Sequence, residues 1–430
     1  MFKEMIKLKE HIRLEIICNM LPIFVLIIYY YTPMVQSVFS VILPLSFLVI
    51  WLVHTLCLSG LKGIFRNKVS ICWGIYFLYA VLMSIIGISS TNLNFQIVNS
   101  AKYLIPIIGC FVIFNYNIKE LRLLLVFFFI IMIGNICQNL FLSQLMPELF
   151  EEELEHSEEL SALKASLNVG GTALVAVCLF MVGTLFVIAK NLEYKFLRVM
   201  TIITICIFLY YFLCVNIRGT TTILFFILIL GFIVATKEPK KKRVRYYLNS
   251  LFIIVIISLI ILVPLLVWIT SIIDNESLIK RFGDIVSLFE ARGNIDEINN
   301  GSFLGRIELS MVSLSSWLST PLSFIFGIGD HTQDFGGDLI ASGIGSHSEF
   351  FDCLGRYGII GGVIFFNIIK LHYKNITNFT SNRNIVKYFN VVFFIIILYG
   401  FLNNLFEPIT LLFIFIVFPI IMKLLSFYKA

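Results

Sequence analysis

The feature that most constrains this chain is the recurrence of long apolar runs. A helix needs about 20 apolar residues to cross the hydrocarbon core of a bilayer. Twelve segments meet or approach that length: 16–33, 35–59, 69–90, 98–116, 121–145, 168–189, 196–216, 219–236, 247–270, 348–370, 385–403 and 407–427. In lipid every backbone polar group must be satisfied within the protein, so only helices and closed barrels span a membrane. These runs are too long and too uniformly apolar for barrel strands. The expectation is an all-α polytopic membrane protein of about 12 transmembrane helices, with residues 1–430 forming one integral membrane domain. Composition agrees. The chain is 59% hydrophobic and 13% charged, against roughly 45–50% and about 25% for soluble domains. That excludes an ordinary soluble enzyme and a disordered chain.

The net charge of +6 does not point to nucleic acid, because the cations sit in short clusters between apolar runs. With a cytoplasmic N-terminus, 24 of the 32 Lys and Arg fall in inside segments, and about 20 of the 26 acids fall on the other side. The positive-inside rule then predicts both termini in the cytoplasm. Eight cations run against the bias: Lys102, Lys164, Arg218, Lys280, Arg281, Arg292, Arg306 and Arg356. Outward loops have little use for cations, so some of these are expected to bind an anion.

The first run continues to Tyr31 behind a long basic stretch and without an A-x-A-like site, so it reads as a span and not a cleaved signal peptide. The nine cysteines lie in or beside spans and form no C-x-x-C pair. They read as buried thiols, with no metal site.

Two outer segments are long. The first, about 146–167, holds seven glutamates between Glu148 and Glu159. It reads as a solvated acidic cap, or as a gate repelling wrong anions. The second, 271–347, is a long loop with helical texture. Leu278, Phe282, Ile285, Val286 and Phe289 form one apolar stripe, and Ser302 is placed to cap a second helix through Arg306, Leu309, Val312 and Leu318. After Pro321 come Gly327, Gly329, Gly336, Gly337, Gly343 and Gly345. Such a run is either a flexible tether or an ordered loop whose glycines permit close backbone approach to a ligand.

The loop leads into the most chemically loaded stretch, Gly345 to Gly362. His347 sits at its mouth. Asp352 and Arg356 are four apart and share a helical face, so they can pair, either as a structural ion pair or within a site. If the helix begins near His347, Arg356 is expected roughly 12 Å deeper. Asn135, Gln138 and Asn139, in the outer half of the fifth run, suit a lipid groove or helix–helix hydrogen bonds equally.

These pieces together resemble a known family. They are Asn216-Ile217-Arg218-Gly219 after one span, then Gly305-Arg306-Ile307-Glu308 with Trp317, then Gly327-Ile328-Gly329. His347-Ser348-Glu349-Phe350 follows, leading to Gly358 and Gly361. Their order is similar to that of the O-antigen ligase and O-antigen polymerase superfamily, which includes capsular repeat-unit polymerases. Members often carry Asn after the histidine, where this chain has Ser348. The resemblance covers about 200–370 in motifs and the whole chain in topology.

The resemblance implies a GT-C-type glycosyltransferase-like bundle in a bacterial cytoplasmic (inner) membrane, working without metal, cofactor or nucleotide sugar. Its substrate would be a glycan on undecaprenyl diphosphate. Arg218 and Arg306 would bind the diphosphate, whose charge grows as it leaves; a guanidinium fork binds two oxygens and stays charged. Thr220 and Thr221 follow Arg218 at a new helix N-terminus, which favours phosphate. His347 would take the proton of the acceptor hydroxyl, with Glu349 or Asp352 orienting it. Lys102 and Arg356 are further candidates for glycan or phosphate contacts. Arg292 is either such a contact or, like Lys280–Arg281, a solvated charge. A flippase and a chain-length regulator are the protein partners such an enzyme would have. The leading expectation is a repeat-unit polymerase. The alternatives are a ligase moving finished glycan to lipid A-core or another acceptor, and a flippase or other transporter.

Overall fold

A computed structural model describes residues 20–40, 42–86, 100–145, 172–215, 219–236, 303–329 and 348–427. All regular structure among them is helical. In chain order the helices are α1 Met20–Tyr31, α2 Pro33–Val38, α3 Ile42–Ile64, α4 Lys68–Ile86, α5 Leu104–Asn115, α6 Ile118–Leu145, α7 Thr172–Asn191, α8 Lys195–Val215 and α9 Gly219–Thr236. After these come α10 Phe303–Leu318, α11 Pro321–Phe326, α12 Glu349–Thr377 and α13 Arg383–Leu402. The last is α14, Pro408–Phe427, with a π-helical turn at Phe413–Val417. A 3₁₀ turn, Ala101–Tyr103, leads into α5.

Among the described residues, seven helices are long and apolar enough to cross a membrane: α4, α6, α7, α8, α12, α13 and α14. Shorter apolar helices occupy Met20–Tyr31, Ile42–Cys57, Ala101–Asn115 and Thr220–Thr236. The expected run 247–270, the acidic segment and the first helical stripe of the long loop lie outside the described residues. The second loop helix is present as α10, one residue after the expected cap Ser302.

α14 forms the centre of the bundle and is almost wholly buried, whereas α8 at the edge is mostly exposed. It packs on α5, α6, α7 and α12, while α7 also meets α8, α9 and α13. Close approach depends on small residues, as expected where apolar area alone drives no association in lipid. A Cβ on Gly109 of α5 would stand 2.7 Å from Phe415 O and from Ile416 Cγ1. Within the π turn, His372 Nε2 lies 3.0 Å from Ile414 O. A carbonyl only accepts, so Nε2 carries the proton.

One end of the bundle collects basic residues. There Lys423 Nζ donates to Ile113 O and Tyr116 O at the C-terminus of α5, a favourable place for a cation. Lys190 Nζ donates to the Tyr388 hydroxyl, and Asn375 Nδ2 to Asn67 Oδ1 at 3.0 Å. The opposite end holds α10, α11 and the part of α12 around Gly358.

Candidate functional site: a bent helix with paired charges

α12 is not a straight span. Its backbone leaves the helical region at Gly358 (φ 61°, ψ −164°). In a straight helix Phe350 and Phe365 would be about 22 Å apart; here their ring centroids are 5.1 Å apart, and Phe350 also meets Phe366 at 5.5 Å. The chain therefore doubles back at Gly358, making a short arm, 349–357, and a long arm, 359–377. Gly361 and Gly362 let the arms close up, since Cβ atoms there would meet Tyr357 Cβ at 2.1 Å and Leu354 Cδ2 at 2.7 Å. This corrects the expected 348–370 span. It also reverses the expected order: the short arm runs back along the long arm, so Glu349 lies against the α13–α14 turn, farther from the bend than Arg356.

The bend is held from outside. A helix end leaves its last four carbonyls without partners. Ile328 N–H donates to Gly355 O and Gly329 N–H to Arg356 O, both at 2.9 Å. The Tyr79 hydroxyl reaches Tyr357 O at 3.2 Å and Phe326 O at 3.1 Å. Two left-handed glycines make the crossing possible. A Cβ on Gly327 (φ +83°) would lie 2.2 Å from Arg356 O, and one on Gly358 would lie 2.3 Å from Ile325 O. The Gly-x-Gly expected to approach a ligand thus approaches the backbone of α12.

The charges sit around the short arm. Asp352 is 1% exposed. Its Oδ1 accepts from Ser313 Oγ of α10 at 2.5 Å, and its Oδ2 faces Arg356 Nη2 at 3.8 Å. The predicted pair is therefore present, with Arg356 14% exposed. Glu349 is 5% exposed. Its Oε2 accepts from Phe406 N–H at 2.9 Å, and its own N–H donates to Asn403 O at 3.2 Å. It therefore ties the turn between α13 and α14 to the start of the short arm. Arg356 and Lys102 are the cations acting on it through space, and Lys102 Nζ lies 5.4 Å from the Tyr103 ring centre.

Beneath these charges Trp73, Tyr76, Tyr103 and Phe406 pack ring against ring, with centroids 5.0–6.3 Å apart. All four are buried, so they form a floor rather than a face for sugars. Tyr76 meets Phe365 and Tyr357, so this floor lies beside the first two turns of α12's long arm. α4 continues ten residues beyond Tyr76 to Ile86, about 15 Å. The Glu349–Lys102 cluster is therefore sunk below the end of α4.

Of the sequence-predicted residues, the structure brings together Lys102, Glu349, Asp352 and Arg356. Arg306 lies on α10, seven residues before Ser313, hence on the same helical face and about 10 Å along the axis. Its side chain, with His347, Arg218 and Arg292, lies outside the described residues. Thr220 and Thr221 are buried at the start of α9. Asn139 Nδ2 donates to Asn135 Oδ1 and to Asn135 O within α6, so these amides pair along their own helix. Sequence reasoning missed Ser313, Tyr79 and the turn at Asn403–Phe406. Only Ser313 left a signal: it is a polar residue four positions after Leu309 on an apolar stripe.

No family model matches the chain, and no curated protein matches it significantly.

Proposed function

We propose that the protein is a polysaccharide polymerase that joins undecaprenyl-diphosphate-linked repeat units at the outer face of a bacterial cytoplasmic membrane, for O-antigen or capsule synthesis. In this reading twelve spans form a GT-C-type bundle with both termini in the cytoplasm. The basic end is cytoplasmic and the bent helix faces outward, in keeping with the positive-inside rule.

One observation carries the reading most. Ser313 and Asp352 join α10, which bears Arg306, to the short arm that begins just after His347. Two motifs about 40 residues apart in the chain are thereby drawn to one end of the bundle. There the acceptor hydroxyl loses its proton to His347 as its oxygen bonds to the sugar C1. The bond from C1 to the phosphate oxygen breaks, and the lipid diphosphate leaves. Arg218 and Arg306 stabilise its added charge; losing one such donor commonly costs about 10²–10³ in rate. Arg356, Lys102 and Arg292 offer further cations to substrate, and Asp352 and Glu349 set the frame.

The test is to incubate purified protein in lipid with a short lipid-diphosphate-linked repeat unit and resolve products by size. A ladder of multiples that disappears in a folded His347→Ala variant supports the polymerase. Transfer only onto a separate acceptor replaces it with a ligase. Passage of intact substrate across the bilayer, unaffected by His347→Ala, replaces it with a transporter.

A further inference from the structure

α11 has inverted polarity. In Pro321–Phe326 the single polar side chain, Ser323, is turned inward and 5% exposed, while Leu322, Phe324, Ile325 and Phe326 are exposed, Leu322 at 71%. Ser323 is held inside by its bonds with Thr320 and with Trp317 O. Met311 and Leu318 extend the exposed face onto α10, with Ser315 between them turning its hydroxyl to Val312 O at 2.9 Å. Polar-in, apolar-out is the reverse of what water selects, and a patch of this kind marks an interaction surface.

The neighbours indicate what covers it. Phe326 O is bonded to Tyr79, which lies on α4 between the exposed Leu78 and Leu82. Ile325 O abuts Gly358, next to the exposed Ile359, which is itself four residues before the exposed Val363. The patch thus continues the lipid-facing strip of two membrane-spanning helices. Depth agrees. α4 runs seven residues past Tyr79, and Leu82, Ile85 and Ile86 in that stretch are exposed apolar side chains. Those residues add about 10 Å, so α11 lies short of the end of an apolar span. We infer that α11 and the adjoining face of α10 are embedded in the hydrocarbon of the leaflet on that side, as a re-entrant element and not as a loop in water. The occupant of the patch is the acyl chains of the bilayer.

The test uses spin labels on Leu322→Cys and, as a lipid-facing reference, Leu82→Cys, each in full-length protein whose exposed Cys57, Cys137 and Cys206 are replaced by serine. In liposomes the label at 322 is expected to collide with oxygen several-fold more than with a water-soluble nickel complex, as at 82. Preferential collision with nickel means the patch faces water and overturns the inference. Protection from both means protein covers it, and also overturns it. A benzophenone side chain at Leu322 in the native-cysteine protein gives a second reading. Lipid adducts by mass spectrometry support embedding; crosslinks to protein alone refute it.

Discussion

Ser313 donates its hydroxyl proton to Asp352 Oδ1 across 2.5 Å, joining the long-loop helix α10 to the short arm of α12. Both residues are buried. A buried acceptor deprived of its donor costs about 1–3 kcal/mol. Ser313→Ala is therefore expected to loosen α10 against the short arm while leaving the spans intact. Hydrogen exchange of α10 should rise with the rest of the bundle unchanged; unaltered protection of α10 would show that Ser313 does not hold it.

The bend makes a sharper demand. Gly358→Ala and Gly327→Ala each put a Cβ within 2.2–2.3 Å of backbone atoms at a left-handed residue. Strain of this kind adds to overpacking, each about 1–3 kcal/mol. Both variants should lose a large part of their thermal stability in detergent. Gly134→Ala, on α6 with nothing within 4 Å of the added methyl, should be neutral or slightly stabilising, by up to about 1 kcal/mol. Equal melting of all three variants would refute the bent-helix account.

Glu349 separates charge from hydrogen bonding. Glu349→Gln keeps an oxygen for Phe406 N–H, so the fold should persist. Glu349→Ala leaves that buried donor without its partner and should destabilise by about 1–3 kcal/mol. Comparison of their thermal midpoints decides the matter: a glutamine variant as unstable as alanine would mean that its charge, facing Lys102 and Arg356, matters more than its bond.

Under the proposed function, Arg306→Ala and Arg218→Ala should each lower transfer about 10²–10³-fold. Lysine should restore only part, because a point charge replaces a two-oxygen fork. Near-wild-type turnover in either alanine variant would remove that arginine from the mechanism.

The helices were legible in the sequence. Runs such as 121–145 and 385–403 match α6 and α13 within a few residues, because in lipid an apolar stretch of that length has no alternative to a helix. The Asp352–Arg356 pair was legible for a similar reason, since four residues make one helical turn.

The fold-back of α12 was not legible. A straight span and a hairpin bury the same apolar residues, so the hydropathy of 348–370 cannot tell them apart. Of Gly355, Gly358, Gly361 and Gly362, only Gly358 has positive φ. That choice depends on partners distant in the chain: Ile328 and Gly329 capping the short arm, and Tyr79 bridging from α4. Among the described residues, the sequence by itself determined which segments are apolar helices and which helix ends carry basic side chains, because both follow from transfer between water and lipid, residue by residue. The tertiary structure alone decided where the helix turns and which charges meet, because unsatisfied carbonyls at a helix end are met by whatever donors the packing brings to them.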